Sequence, residues 1–321
     1  MSLSRLLLPR RQLAPRVSWL LGIGSFVLPL LVWCLVSYVP GIWHPQVRII
    51  DPGDVDYFQP GMRADASVFE SESEDIRAKG GHLPTGVPSN PIYLPAPHEV
   101  ALAFVRAFST PPGKSESPGL HESMWSSIQL IVTGFVLSSV IAIPLGIISG
   151  TYTAIARLNE PFVEFFRYLP APAFGALAVA VLGIYEGPKV AIIFIGTFFQ
   201  QILVVANTAR KLDYGLLEAA LTLGTKRLSL LTHVVVPGIL PDLYRDQRIL
   251  LGWAWTYLVV AELIGTSSGI TLFITQQARY QHFENVYAAI LLIGIIGFGS
   301  DLVLARAGRM FFPWDRGATR A

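Results

Sequence analysis

The sequence predicts an all-α protein: a polytopic membrane helical bundle with six transmembrane helices. Three observations lead there. Of 321 residues, 52% are hydrophobic and only 14% charged, against roughly 25% charged in ordinary soluble domains. The apolar residues gather into charge-free runs of about the 20 residues that a helix needs to cross a bilayer core. None of these runs alternates with period 2, which disfavours a transmembrane barrel.

The same figures exclude other classes. With 24 Lys+Arg against 22 Asp+Glu the formal charge is +2, so no excess of basic charge is available to grip a nucleic acid. The single cysteine, Cys34, lies in an apolar run and supports neither a disulfide framework nor a cysteine-based metal cluster.

In chain order, residues 1–16 read as a basic tail, followed by a first span, Val17–Val39, of 23 uncharged residues. That is longer than the apolar region of a secretory signal, and no small-residue cleavage site follows it, so the span is expected to be retained. The second run, Ile128–Ala156, has 29 uncharged residues and is long enough to span and continue. Tyr168–Tyr185 and Val190–Ala209 follow as the third and fourth, separated by Glu186, Gly187, Pro188 and Lys189, which read as a tight helical hairpin. The fifth, Ile249–Ile264, carries Glu262 near one end, and the sixth, Val286–Leu304, meets Asp301 in its final turn.

Orientation follows from the tendency of Lys and Arg to stay on the cytoplasmic side. With the N-terminus inside, the inner segments hold Arg5, Arg10, Arg11, Arg16, Arg157, Arg210, Lys211, Lys226, Arg227, Arg245, Arg248, Arg306, Arg309, Arg316 and Arg320, which is 15 of the 24. Both termini are therefore expected in the cytoplasm, with residues 306–321 forming a second tail.

Residues 40–123 form the long outer loop, which holds 11 of the 22 acidic residues. The first part reads as irregular and acidic, with Glu70–Asp75 a solvated turn or disordered tip rather than a metal site. Within residues 98–108, Val100, Ala101, Phe104, Val105 and Phe108 recur at helical spacing and predict an amphipathic helix. Residues 124–305 make up the rest of the bundle.

Catalytic motifs are absent. No phosphate-binding G-x-x-x-x-G-K-[ST] loop, H-E-x-x-H or G-x-S-x-G occurs, so the chain is expected neither to bind ATP by that route nor to act as a hydrolase. One inner loop, residues 210–244, is amphipathic and too regular to be a passive link. A helix through Leu223 is expected to break at Gly224, where a missing side chain permits a sharp bend. A second helix should run from Lys226 to Pro237, which ends it.

In this loop Glu218-Ala219-Ala220, then three residues, Gly224, nine residues, and Val234-Val235-Val236-Pro237 resemble the signature of permease subunits of ATP-binding-cassette (ABC) importers. Ile143-Pro144-Leu145-Gly146, Arg167-Tyr168-Leu169-Pro170 and Trp253-Ala254-Trp255 through Ala261-Glu262 extend the resemblance, which covers about Ile92 to Pro313. Together they are similar to the subfamily serving nitrate, sulfonate, taurine and bicarbonate importers. Two features depart from it: the acidic insert His44–Asn90, and Leu182-Gly183-Ile184-Tyr185-Glu186, where relatives tend to carry aromatic-Gly-x-Gly-Glu.

The resemblance implies a type I ABC importer permease fold in a bacterial inner membrane. Its implied partners are two ATP-binding subunits that hold ATP and Mg, an extracytoplasmic binding protein and a second permease copy, with no cofactor on this chain. It also implies that residues 210–244 form a coupling helix. Glu218 would pair with a basic group of the ATP-binding subunit, Ala219 and Ala220 would permit close packing, Gly224 would supply the bend, and Lys226 and Pro237 would frame the second helix. By itself, Glu218 also fits a solvated carboxylate favoured by a helix dipole.

Polar residues within the spans, Gln200, Gln201, Asn207, Thr256, Glu262 and Ser267, are candidates for the translocation pathway, against interhelical hydrogen bonding as the plain alternative. Glu262 also suits capping of the loop beside it. Glu164 and Arg167, spaced i, i+3, are expected to pair at the inner mouth of the third span. No cation lies in the middle of any span, so a transported anion must be held by neutral donors or helix ends. An ATP-independent secondary transporter or channel, and a membrane scaffold using the outer loop as an arm, are the competing readings.

Overall fold

The computed structural model describes residues 14–39, 42–109, 119–264 and 268–315. The chain divides into two compact units, one of Met1–Arg106 with Gln277–Ala288 and one of Ala107–Gln276 with Ala289–Ala321.

The first unit begins with α1, Pro15–Tyr38, whose proline at the start removes an N–H that no helix could use. The insert then departs from expectation. In place of an irregular acidic segment, β1 (Gln46–Asp51), β2 (Arg63–Asp65), α2 (Ala66–Lys79) and β3 (Thr85–Ser89) build a small α/β fold. Its antiparallel sheet has the order β2-β1-β3, with Val47 opposite Ala64 and Arg48 opposite Val87. Ile49, Val55, Phe58, Ala64 and Ile76 are buried together, with Phe69 and Leu83 against them. Glu70–Asp75 therefore lies on a helix, because Phe69 and Ile76, spaced i, i+7, bind one face of α2 to the sheet.

Beyond the insert, α3 (Pro97–Ser109) buries Val100 and Ala103. In the same unit, Trp33 of α1 donates from Nε1 to the Pro95 carbonyl at 3.1 Å and stacks on Tyr287, with ring centroids 5.7 Å apart.

The second unit is helical throughout the described residues. At its centre α4 (Leu120–Thr151) packs against α7 (Glu186–Arg210). Small residues set that approach: a β-carbon at Gly146 would stand 2.7 Å from Val205 Cβ, and one at Gly134 would stand 2.8 Å from Ile193 Cβ. This is the small-residue packing expected where lipid supplies no hydrophobic drive between helices.

Several boundaries move. The run Ile128–Ala156 does not continue as one helix; Tyr152 takes an extended conformation, and α5 (Thr153–Arg167) starts after it. Nor is Tyr168–Tyr185 one span. Pro170 and Pro172 enter a 3₁₀ turn at Ala171–Phe174, and α6 (Gly175–Leu182) leaves α5 at 88°. Two prolines so close together remove backbone donors and push their preceding residues out of the helical region. The fifth span is the latter part of a longer helix, α10 (Val236–Ile264).

Among the described residues four helices are long and apolar enough to cross a membrane: α1, α4, α7 and α12 (Phe283–Phe311). There are up to five if the bent α5/α6 pair counts as one span. α11 (Ile270–Arg279) connects α10 to α12.

Candidate functional site

Between α7 and α10 the chain builds an exposed helix, turn and helix. Asp213 caps α8 (Tyr214–Thr222), its carboxylate accepting from the Gly215 N–H at 3.0 Å. The helix closes at Gly224, whose φ of +77° lies in the left-handed region. There the Gly224 N–H donates to the Leu221 carbonyl at 2.9 Å and the Thr225 N–H to the Ala220 carbonyl at 3.1 Å. Only a glycine enters that conformation without a side-chain penalty, so the bend falls where the sequence puts it.

The second helix does not end at Pro237. α9 (Arg227–Leu230) runs into a π turn, Leu231–Val235, and then directly into α10, with Pro237 as the second residue of α10. The wider turn reorganises the hydrogen-bond ladder where the proline lacks an N–H, so the chain continues instead of stopping.

No residue of α8 is buried. Glu218 and Ala219 face outward and Ala220 is half-buried, while Lys226 and Pro237 are exposed. On the inner side Leu217 and Ala220 rest on a cluster formed by Ile147 of α4, Val205 and Ala209 of α7, Leu230 of α9, Val235 of the π turn, and Ile239 and Leu243 of α10. On the outer side Leu216, Leu221 and Leu223 are left uncovered, Leu223 to 85%. Glu218 forms no ion pair with any described residue. The base of the loop is fastened by Arg210 to Glu160, by Thr208 to Asp246, and by the Tyr152 hydroxyl donating to the Arg227 carbonyl at 3.1 Å.

Within the bundle, three buried polar centres tie helices together. Gln201 is fully buried, accepting from Ser138 Oγ at 2.6 Å and donating to Ser139 Oγ at 2.9 Å and Gln247 Oε1 at 3.2 Å. It joins α4, α7 and α10. Glu262 is 3% exposed. One carboxylate oxygen accepts from the Ser127 hydroxyl, and the other accepts from the Thr271 N–H at 2.8 Å, in the first turn of α11.

The third centre is Lys189, whose side chain is 1% exposed. Its Nζ donates to Glu186 Oε1 at 3.2 Å and to Ser268 Oγ at 2.9 Å. The sequence places Lys189 only in a tight helical hairpin between two spans. The only local signal of its partner was the i, i+3 spacing from Glu186; Ser268 is 79 residues away.

The remaining candidates separate. Asn207 is exposed and accepts from Arg210 Nη1 at 2.9 Å, and Thr256 is exposed with its hydroxyl on its own helix at the Trp253 carbonyl, 2.7 Å away. Gln200 is half-buried and its side chain makes no hydrogen bond to a described residue, whereas Ser267 lies outside the described residues. Glu164 and Arg167 do not pair. Arg167 turns to Tyr168, donating to its hydroxyl at 3.0 Å with the guanidinium 4.8 Å from the ring centroid; the adjacent aromatic face offers a nearer partner. Among the described residues no group of three or more His, Cys, Asp or Glu side chains is placed to hold a metal.

Among the described residues the second unit is thus a bundle of apolar helices packed closely through glycines, with the short helix α8 exposed between α7 and α10. Residues 142–314 match the family described as the binding-protein-dependent transport system inner membrane component, and the chain belongs to that family. It is a permease component of an ABC importer.

Relatives agree. A probable ABC transporter permease protein of Brucella abortus (strain 2308) is 34% identical over 195 residues, covering 61% of this chain and 78% of the relative. The taurine transport system permease protein TauC of Escherichia coli (strain K12) is 28% identical over 225 residues, covering 70% and 81%. Among solved structures, an inward-facing conformation of the MetNI methionine ABC transporter aligns with a TM-score of 0.54 at 18% identity, over 60% of this chain and 95% of that one. That likeness is one of fold.

Proposed function

We propose that this permease imports a small anion of the nitrate, bicarbonate, sulfonate or taurine class, delivered by an extracytoplasmic binding protein and driven by two ATP-binding subunits. The similarity to a taurine permease and the motifs spread from Ile143 to Glu262 support the substrate class. The permease works as a pair of identical copies, each crossing the bacterial inner membrane six times with both termini in the cytoplasm. ATP and Mg reside on the partner subunits.

The observation that carries the reading is the exposed α8 and its C-cap, with Leu216, Leu221 and Leu223 uncovered beside Glu218, which pairs with no described residue. Uncovered leucines on a short helix suit a groove in another protein, and a carboxylate at their edge suits a basic group there. Closure of the ATP-binding subunits presses on α8. Leu217 and Ala220 pass the displacement into the cluster of Ile147, Val205, Val235 and Ile239. Because a close-packed core transmits displacement instead of absorbing it, α4, α7 and α10 move together between outward- and inward-facing states.

In the pathway, Lys189 is committed to Glu186 and Ser268, and Gln201 and Glu262 are committed to interhelical bonds. The anion is therefore carried past neutral donors, with Gln200 and Thr256 the side chains left to meet it. Asn207 and, outside the described residues, Ser267 complete the set of candidates for that route.

The test is Glu218→Lys in the reconstituted complex of permease, ATP-binding subunits and loaded binding protein. Uptake of labelled taurine, nitrate or bicarbonate and the transport-linked ATP hydrolysis should both collapse while membrane insertion survives. Unchanged uptake would remove the coupling role.

A further inference from the structure

The first turns of α10 and the last turns of α12 line a cavity. It measures about 510 Å³ and is lined by Tyr244, Arg245 and Arg248 of α10 and by Arg309, Phe312 and Asp315 at the end of α12 and the turn after it. We propose that this cavity binds the headgroup of an anionic phospholipid.

The donors come first. Arg248 spends Nε and Nη2 on Asp301, at 3.1 and 2.8 Å. Arg245 spends Nη2 on Asp242 and Asp315, each at 2.7 Å. In both side chains Nη1 makes no hydrogen bond to a described residue, although a guanidinium carries five N–H donors. Arg309 has no carboxylate within ion-pair distance among the described residues. The cavity thus offers unspent guanidinium donors, the arrangement suited to a phosphate diester. Asp315 is the one carboxylate among the described lining residues, and its charge is met by Arg245.

The walls and depth point to a lipid instead of a free phosphate. α12 has 29 residues, so at about 1.5 Å per residue it is about 43 Å long, against a hydrocarbon core of about 30 Å. Asp301, Arg306 and Arg309 all follow its apolar run, so the last turns are the ones suited to the headgroup zone. Phe312 is packed between Tyr244 and Trp314, with ring centroids 5.6 Å apart in each pair. Met310, Phe311 and Trp314 are exposed beside it. An aromatic rim of this kind marks a membrane interface, and the exposed apolar side chains beside it provide a surface for an acyl chain.

Two contacts fix the Tyr244 ring on the cavity wall. The Tyr244 hydroxyl donates to the Leu304 carbonyl at 2.8 Å, and Gly308 admits the tyrosine ring: a β-carbon there would stand 2.7 Å from Tyr244 Cε1. The inference concerns only this cavity and holds whichever solute is transported.

The experiment is native mass spectrometry of the full chain with its partner subunits, titrated with phosphatidylglycerol or phosphatidylcholine. A parallel arm adds inorganic phosphate. Phosphatidylglycerol should be retained over phosphatidylcholine, and Arg309→Ala should reduce that retention about fivefold, the equivalent of about 1 kcal/mol for one basic residue near an anionic lipid. Lys79→Ala, on the insert, serves as the basic control and should leave retention unchanged. Equal retention of the two lipids, an unaltered Arg309→Ala, or full displacement of the lipid by millimolar phosphate would each overturn the proposal.

Discussion

Glu262 and Gly269 are fitted to one another. Gly269 has a φ of +105°, and a β-carbon placed on it would overlap the Glu262 carboxylate. The carboxylate sits there because it accepts from Ser127 of α4 and from the Thr271 N–H of α11. A buried acid thus holds the start of α11 against the early turns of α4, and the glycine leaves room for it.

Gly269→Ala should consequently displace Glu262 and cost more than a typical glycine-to-alanine change. An expected loss of about 2–3 kcal/mol would lower the melting temperature of the detergent-solubilised protein. Glu262→Gln, which keeps the shape and one acceptor, should lose only about 1 kcal/mol. Equal melting temperatures for the two variants would contradict the capping role.

The bend at Gly224 separates backbone from space. A β-carbon there meets nothing within 4 Å, but φ is +77°. Gly224→Asn, which tolerates the left-handed region, should keep most ATP-coupled uptake, whereas Gly224→Val should lose it, with about 1–2 kcal/mol of local strain. Comparable uptake by the two would show that the left-handed turn is dispensable.

Lys189 and Glu186 are unequally buried, the lysine side chain 1% and the glutamate 54% exposed. Glu186→Ala strips a carboxylate from a buried cation, while Lys189→Met leaves a carboxylate that water can reach. The first should be the more destabilising, by about 1–3 kcal/mol. Chemical unfolding of the two variants side by side reads the difference, and the reverse order would be inconsistent with this placement.

Gln201 distinguishes a packing role from a pathway role. Replacing it with Leu removes bonds to Ser138, Ser139 and Gln247, at about 0.6 kcal/mol for each interhelical bond. Thermal stability should fall while the KM for uptake stays constant. A shifted KM with unchanged stability would return Gln201 to the pathway.

Phe58 is buried at the centre of the insert. Phe58→Ala should cost about 3–5 kcal/mol and expose residues 46–89 to limited proteolysis, with the bundle left intact. Resistance equal to the unsubstituted protein would mean that the insert is not held by its own core.

The helical membrane bundle and the loop that breaks at Gly224 are legible along the chain, because both depend on short-range chemistry. Charge-free runs are local, and so is the glycine needed for a left-handed turn. The run around Tyr168–Tyr185 misled because composition alone ignores two prolines acting together, and Pro237 misled because a neighbouring π turn accommodates it. The insert misled because few apolar residues sufficed once Ile49, Phe58 and Ile76 met across strands and helix.

The partners of the polar groups come from elements far apart in the chain. Ser127 meets Glu262 across 135 residues, and Lys189 meets Ser268 across 79. A buried charge or amide is stable only where other elements bring it donors and acceptors, and no local pattern in the chain states which elements those will be.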